Sequence, residues 1–148
     1  MTYHIVLADD QPLVRECVKR ILAEDPDFEV VAEADDGVNL LNLLKEGFVA
    51  ADLIIVDISM PRMEGIEAIR RIKALYPHIK TLVLSMHKDK EYVAKALAVG
   101  ATGYLVKENA DAELVPAVGK IRQGGTYISS CFEGEINNHS QRPMSGAA

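Results

Sequence analysis

The stretch Ala51-Asp52-Leu53-Ile54-Ile55-Val56-Asp57-Ile58-Ser59-Met60-Pro61 decides the fold. Leu53 to Val56 is a continuous apolar run, mostly β-branched, with charge before it and a proline after it. Such a run fits a strand buried on both faces, as in a parallel sheet covered by helices. A carboxylate, Asp57, follows where the strand should end. In open α/β sheets ligands bind just beyond the carboxyl ends of strands, so Asp57 stands where chemistry is expected. The same residue could do no more than cap a turn, and the strand alone leaves that choice open.

Working outward, Ile5-Val6-Leu7-Ala8 is a short apolar strand followed at once by Asp9-Asp10. Gln11-Pro12 then opens a helix, with Asp10 as its expected N-cap and Pro12 in the first turn. Leu13, Val14, Cys17, Val18, Ile21 and Leu22 recur on one face of that helix. A second strand is expected over Glu29–Ala34, then a helix carrying Val38, Leu40, Leu41 and Leu44 and stopping near Gly47. Beyond the Asp57 strand, Met60–Gly65 reads as a loop and Ile66, Ile69, Ile72 and Leu75 as a third helix. Thr81–Ser85 is a fourth strand, Tyr92–Val99 a fourth helix of modest hydrophobicity, and Gly103–Lys107 a fifth strand. A fifth helix runs from about Asp111 to Gln123 and ends at Gly124-Gly125. Five strand–helix alternations imply a doubly wound parallel sheet with helices on both faces.

The bulk composition narrows the classes. A chain of 148 residues, with 49% hydrophobic and 26% charged residues, suits one globular domain with a proper core. A net charge of -6 argues against nucleic acid as a partner of this chain. No apolar run approaches the roughly 18 residues of a membrane span. The first residues lack the basic and apolar regions of a signal peptide, so a cytoplasmic location is expected. Cys17 and Cys131 suggest neither a disulfide framework nor a metal site, and Cys17 is expected to be a small core residue.

What sits at the end of each strand points to function. The first strand delivers Asp9 and Asp10, the third Asp57, the fourth Ser85 and the fifth Lys107. Each has a plain alternative: a helix cap for Asp10, a turn residue for Ser85, a solvated charge for Lys107. Together, at successive strand ends, they would converge on one edge of the sheet. Three packed carboxylates repel, and a divalent cation is the natural way to hold them. Hard oxygen ligands completed by water suit Mg²⁺. A cation, a carboxylate, a lysine and a hydroxyl then make a phosphoryl-transfer site, with Asp57 the attacking group.

These residues resemble the receiver domains of two-component response regulators. The signature is Asp9-Asp10, Asp57, the Met60-Pro61 to Gly65 loop, Ser85 and Lys107, in order and properly spaced over about residues 3 to 124. The resemblance implies a five-stranded parallel sheet of order 2-1-3-4-5, the flavodoxin-like (CheY-like) fold. It implies that Asp57 is the phosphoacceptor, that Asp10, Asp57 and the backbone carbonyl of Ser59 bind Mg²⁺, and that Asp9 orients the metal's waters. Lys107 would pair with the phosphoryl oxygens. Ser85 would turn its hydroxyl to the phosphoryl group and draw in Tyr104, the switch aromatic. The partner implied is a sensor histidine kinase, with a homodimer possible on phosphorylation. Such a receiver is a phosphoacceptor with self-catalysed phosphorylation and dephosphorylation, not an enzyme.

The runs Gly100-Ala101-Thr102-Gly103-Tyr104-Leu105-Val106-Lys107 and Ile121-Arg122-Gln123-Gly124-Gly125-Thr126-Tyr127-Ile128-Ser129 are similar to the NarL/FixJ-type subfamily. There, such a run leads into a DNA-binding helix-turn-helix domain that controls transcription. The residues after Gly124 show no helical period, so the receiver is expected over 1–124, a linker or disordered tail over 125–148, and the output domain is expected to be absent. Glu108 stands where most receivers have a proline in a cis peptide, which leaves the backbone after Lys107 open. Ser59 and His87 flank the path of the water that would remove the phosphoryl group, although His87 also reads as an exposed loop histidine. A phosphohydrolase of the aspartyl-phosphate class usually has a second Asp two residues after the nucleophile. Here that position is Ser59.

Overall fold

Short apolar runs joined by amphipathic helices settle into the expected alternation. In the computed structural model, which describes residues 1–47 and 49–132, the strands are β1 (Tyr3–Ala8), β2 (Phe28–Ala34), β3 (Leu53–Val56), β4 (Lys80–Ser85) and β5 (Gly103–Val106). The helices are α1 (Pro12–Leu22), α2 (Gly37–Glu46), α3 (Gly65–Leu75), α4 (Lys90–Ala98) and α5 (Ala110–Arg122). All pairings are parallel, in the order β2-β1-β3-β4-β5, with a further strand β6 (Tyr127–Ile128) beside β5.

Alternation along the strands builds two cores. Val6, Ala8, Ile54, Val56, Val83, Tyr104 and Val106 face the layer that contains α2, α3 and α4. Ile5, Leu7, Leu53, Ile55, Leu82, Leu84 and Leu105 face α1 and α5. Each β3 residue is thus buried whichever way it points, which is why the sequence there shows no polar alternation. Among the described residues no helix is long and apolar enough to cross a membrane.

Helix ends follow local chemistry. Asp36 caps α2 by accepting from the Asn39 amide at 2.7 Å, and Gly47 closes it in the left-handed region at φ 74°. Helix α1 departs from expectation. Gln11, not Asp10, takes the cap position, and no side chain caps it. The nearby Asp9 carboxylate accepts from the Gln11 amide at 2.9 Å, so the turn is held one residue earlier and Asp10 stays exposed. Cys17 is also exposed rather than in the core. Val18 and Leu22 carry the buried stripe of α1. Leu13 (80% exposed) and Cys17, one helical turn apart, sit beyond its edge.

The larger difference lies after α5. The sequence reading placed a linker from residue 125, yet the sheet continues. β6 pairs with β5, Ser129 N donates to Tyr104 O at 2.8 Å, and Phe132 ends a 3-10 turn (Ser130–Phe132) inside the core. Gly103 permits this approach, because a Cβ there would lie 2.6 Å from the Tyr127 carbonyl oxygen. A two-residue strand is too short to leave a period in the sequence. Residues 133–148, which the sequence reading gave to the tail, lie outside the described residues.

Gly65, the first residue of α3, fixes the backbone under Asp57. Its amide donates to Ile58 O at 2.8 Å, and a Cβ at this position would collide with the Asp57 carbonyl oxygen. Gly65→Ala should therefore cost about 1–3 kcal/mol through forced backbone movement. Gly119→Ala, facing open space on α5, should instead add about 0.5–1 kcal/mol by lowering chain entropy. Urea unfolding midpoints of the two variants should move in opposite directions.

Candidate functional site

The sheet order itself makes the site. From β1 the chain steps outward to β2, then returns across β1 to β3, so the connections leave β1 and β3 in opposite directions. A crevice opens between their carboxyl ends. The residues that follow those ends are Asp9 and Asp10 after β1 and Asp57 after β3. One carboxylate oxygen from each lies within 4.8 Å of those of the other two, with Asp9 and Asp57 buried and Asp10 exposed. Three acidic groups so placed could hold a hard divalent cation through oxygen, with room on the Asp10 side for water.

Lys107, at the end of β5, reaches into the same crevice. Its Nζ lies 3.0 Å from Asp9 Oδ2 and 3.3 Å from Asp57 Oδ2, with only 10% of the side chain exposed. The other oxygen of Asp57 accepts from the Ser59 amide at 3.2 Å. Burial pushes the Asp57 carboxyl above its ordinary pKa. Lys107 works against that shift, and the Asp9 charge adds to it. A cation bound among the three carboxylates would reverse the direction.

The loop between β4 and α4 closes the other side. Ser85 is fully buried, and its hydroxyl accepts from the His87 amide at 3.0 Å. Tyr104 is also fully buried, with its hydroxyl donating to the His87 carbonyl at 2.9 Å. The His87 ring stacks on Tyr92 with centroids 4.3 Å apart, and its Nε2 lies 3.1 Å from Ser59 Oγ. The reading of His87 as an exposed loop histidine is therefore corrected: it is half-buried and ties the β4–α4 loop to the residue two places after Asp57. After Lys107 the peptide is trans, and Lys107–Asn109 forms a 3-10 turn leading into α5.

Every residue singled out from the sequence thus lies at this edge of the sheet. The acidic trio is clustered, and Lys107 contacts Asp9 and Asp57 within it. Ser85 and Tyr104 are drawn together on the neighbouring loop through the backbone of His87. Sequence reasoning missed Arg62, whose guanidinium bonds Asp36 at 2.8 Å and Asn39 at 2.9 Å and whose backbone sits at φ 65°. It fastens the loop after Asp57 to the start of α2. It also missed Glu113, Ser129 and Phe132 beyond β5, where no hydrophobic period marks them.

The family model of the response regulator receiver domain matches residues 5–119. The chain belongs to the response regulator receiver family. It is 50% identical over 125 residues to the transcriptional regulatory protein DegU of Brevibacillus brevis, covering 84% of this chain and 52% of that protein. It is 39% identical over 142 residues to the oxygen regulatory protein NreC of Staphylococcus epidermidis, covering 93% and 64%. The chain therefore spans about half to two thirds of the length of these curated relatives. Among solved structures it is similar to a LuxR-family two-component response regulator from an Aurantimonas species, with TM-score 0.86, 34% identity and coverage of 95% and 99%. The receiver domain of NarL from Mycobacterium tuberculosis superposes with TM-score 0.76 at 34% identity, covering 83% and 98%. The chain is a receiver domain of the NarL/LuxR type, a group of transcription regulators, and receivers act as phosphoacceptors.

Because Asp57 is easier to protonate when folded, the folded receiver holds more protons than the unfolded chain between the unfolded and folded pKa values. Stability then falls as pH rises through that window. At neutral pH the ionised carboxylate is a cost, so in chelator-treated protein Asp57→Asn should raise the thermal midpoint. That gain should fade below about pH 3.9, where Asp57 is protonated in both states of the wild type. Melting curves across pH, with Asp52→Asn on the exposed face as control, check this.

Proposed function

We propose that Asp57 is the phosphoacceptor of this receiver and takes its phosphoryl group from a phosphohistidine of a sensor histidine kinase. A carboxylate oxygen of Asp57 attacks phosphorus, the P–N bond breaks, and the imidazole nitrogen keeps the electron pair. What supports this is one observation: three carboxylates and one ammonium meet in the crevice between β1 and β3. The donor set is all oxygen, which fits Mg²⁺ held by Asp10, Asp57 and the Ser59 carbonyl, with Asp9 acting through water. When bound, the cation supplies charge neutralisation at the phosphoryl oxygens.

Lys107 holds the second positive charge and is already aimed at Asp57. Asp9 keeps that ammonium in place through their shared contact. The phosphoryl group adds about -1.5 to -2 of charge, enough to draw the Ser85 hydroxyl away from the His87 amide toward a new acceptor. Tyr104 then stays inward as that loop tightens, and the surface of α4, β5 and α5 changes. The shift in population needs differential stabilisation of a few kcal/mol. Phosphoryl contacts to Lys107 and Ser85 suit that scale.

The partner would approach along the groove of about 470 Å³ between α1 and the start of α5, lined in part by Leu13, Cys17, Met86 and Lys107. Leu13 and Met86 are large exposed apolar side chains beside the crevice, and a helical kinase domain could cover them as it delivers its histidine. The output is control of transcription through a DNA-binding domain of the whole regulator, since a transcriptional regulatory protein is among the relatives of which this chain covers only part.

The decisive measurement is intact mass after incubation with acetyl phosphate, with and without Mg²⁺. The expected result is a gain of one phosphoryl group that needs Mg²⁺ and is absent in Asp57→Asn. Lys107→Met should lower the initial rate by about 10²-fold, the usual scale for losing one pre-aimed charge donor. No adduct on wild type under rapid-quench conditions would overturn the proposal, and steady phosphate release without an adduct would favour a hydrolase.

A further inference from the structure

The segment after α5 does not merely trail from the sheet. Glu113, on α5, gathers it: its carboxylate accepts from Tyr127 Oη at 2.9 Å, Ser130 Oγ at 2.7 Å, Ser129 Oγ at 3.3 Å and Ser130 N at 3.3 Å. Burial works to raise the Glu113 carboxyl, but the hydroxyls of Ser130 and Tyr127 outweigh it and hold it below its ordinary value. Ser129, fully buried, also accepts from Val106 N at 3.1 Å, so one hydroxyl joins α5 to the edge of β5. Such chained bonds polarise one another.

The same segment grips Tyr104 from two sides. Ser129 N donates to the Tyr104 carbonyl. Phe132 packs edge-on to the Tyr104 ring, with centroids 6.0 Å apart and planes at 87°, a favoured aromatic geometry. Phe132 sits in the core layer containing α4, whereas Glu113 rises from α5 in the opposite layer. The segment therefore wraps the edge of the sheet and reaches Tyr104 from outside. Any rotation of that ring out of its pocket breaks the bond to His87 and the contact with Phe132 together.

We propose that residues 126–132 form a clasp, fastened by Glu113, whose seating and the inward position of Tyr104 stabilise each other, so that the phosphorylation state of Asp57 sets how firmly the chain beyond α5 is held. The coupling arm rests on the reading of Asp57 as phosphoacceptor; the clasp itself does not. Coupling of this kind is reciprocal. If the phosphorylated conformer favours the seated clasp, unseating the clasp destabilises that conformer by the same free energy, through a residue whose hydrogen bonds run to Tyr127, Ser129 and Ser130.

Two measurements on the full chain separate the parts. First, fluorine NMR of 3-fluorotyrosine protein, with the Tyr104 signal assigned by Tyr104→Phe, needs no phosphorylation. Glu113→Ala and Phe132→Ala should each shift that signal toward the solvent-exposed position, and an unmoved signal in both variants would overturn the clasp. Second, amide exchange over residues 126–132 is compared with and without acetyl phosphate and Mg²⁺, with occupancy read by intact mass. Exchange should slow three-fold or more at Ser129 and Phe132 in the phosphorylated protein. Glu113→Ala should abolish the slowing at matched occupancy. Full occupancy with unchanged exchange would overturn the coupling, while zero occupancy would instead overturn the assignment of Asp57.

Discussion

Asp9 and Asp57 carry like charges into a buried position, and Lys107 is what lets them stay there. Burial pushes the Asp57 carboxyl up, and the Asp9 charge beside it pushes the same way. One ammonium within 3.3 Å of both offsets part of that cost. The remainder is left over as a standing attraction for positive charge, with exposed Asp10 at the rim to extend it. The fold keeps this arrangement under tension because the groups sit on three separate strand ends. None can withdraw without disturbing sheet pairings that are buried on both faces. A site built this way resists collapse and keeps its oxygen ligands turned toward where a cation could sit.

The same economy of position explains the β4–α4 loop. His87 makes contacts through its amide, its carbonyl, one ring face and Nε2, so the loop has few independent parts. A change at Ser85 is felt by Tyr104 through one shared backbone unit. Phe132 then places that aromatic ring in contact with residues following the last helix. The path from the crevice to the end of the described chain is short: Ser85, His87, Tyr104, Phe132. Each step is a hydrogen bond or a ring contact rather than a diffuse shift of the core.

Most of the fold could be read from the sequence because its strands are buried twice over. Leu53–Val56 admits few other readings, and the alternation with stripes such as Ile66, Ile69 and Ile72 leaves one layer plan. The acidic trio and Lys107 were legible for a related reason: charge at the end of an apolar run has no structural excuse when it recurs at three strands. What escaped was local. Asp10 has the right chemistry for a cap, but Asp9 reaches the Gln11 amide first. Cys17 belongs to an apolar stripe wider than the surface α1 has to cover. Residues 126–132 are held by a carboxylate fourteen to seventeen positions upstream of its partners and by two-residue pairing, neither of which leaves a period in composition.

The order in which the strands are made adds a constraint of another kind. Asp57 and the ammonium that restrains it are separated by 50 residues, across two helices and two strands. During synthesis Asp9, Asp10 and Asp57 therefore leave the ribosome well before their counter-charge. A nascent chain in which β1 and β3 have paired has the carboxylates but not the lysine. The ammonium can offset the carboxylates only once β5 docks, so the finished crevice doubles as a report that folding is complete.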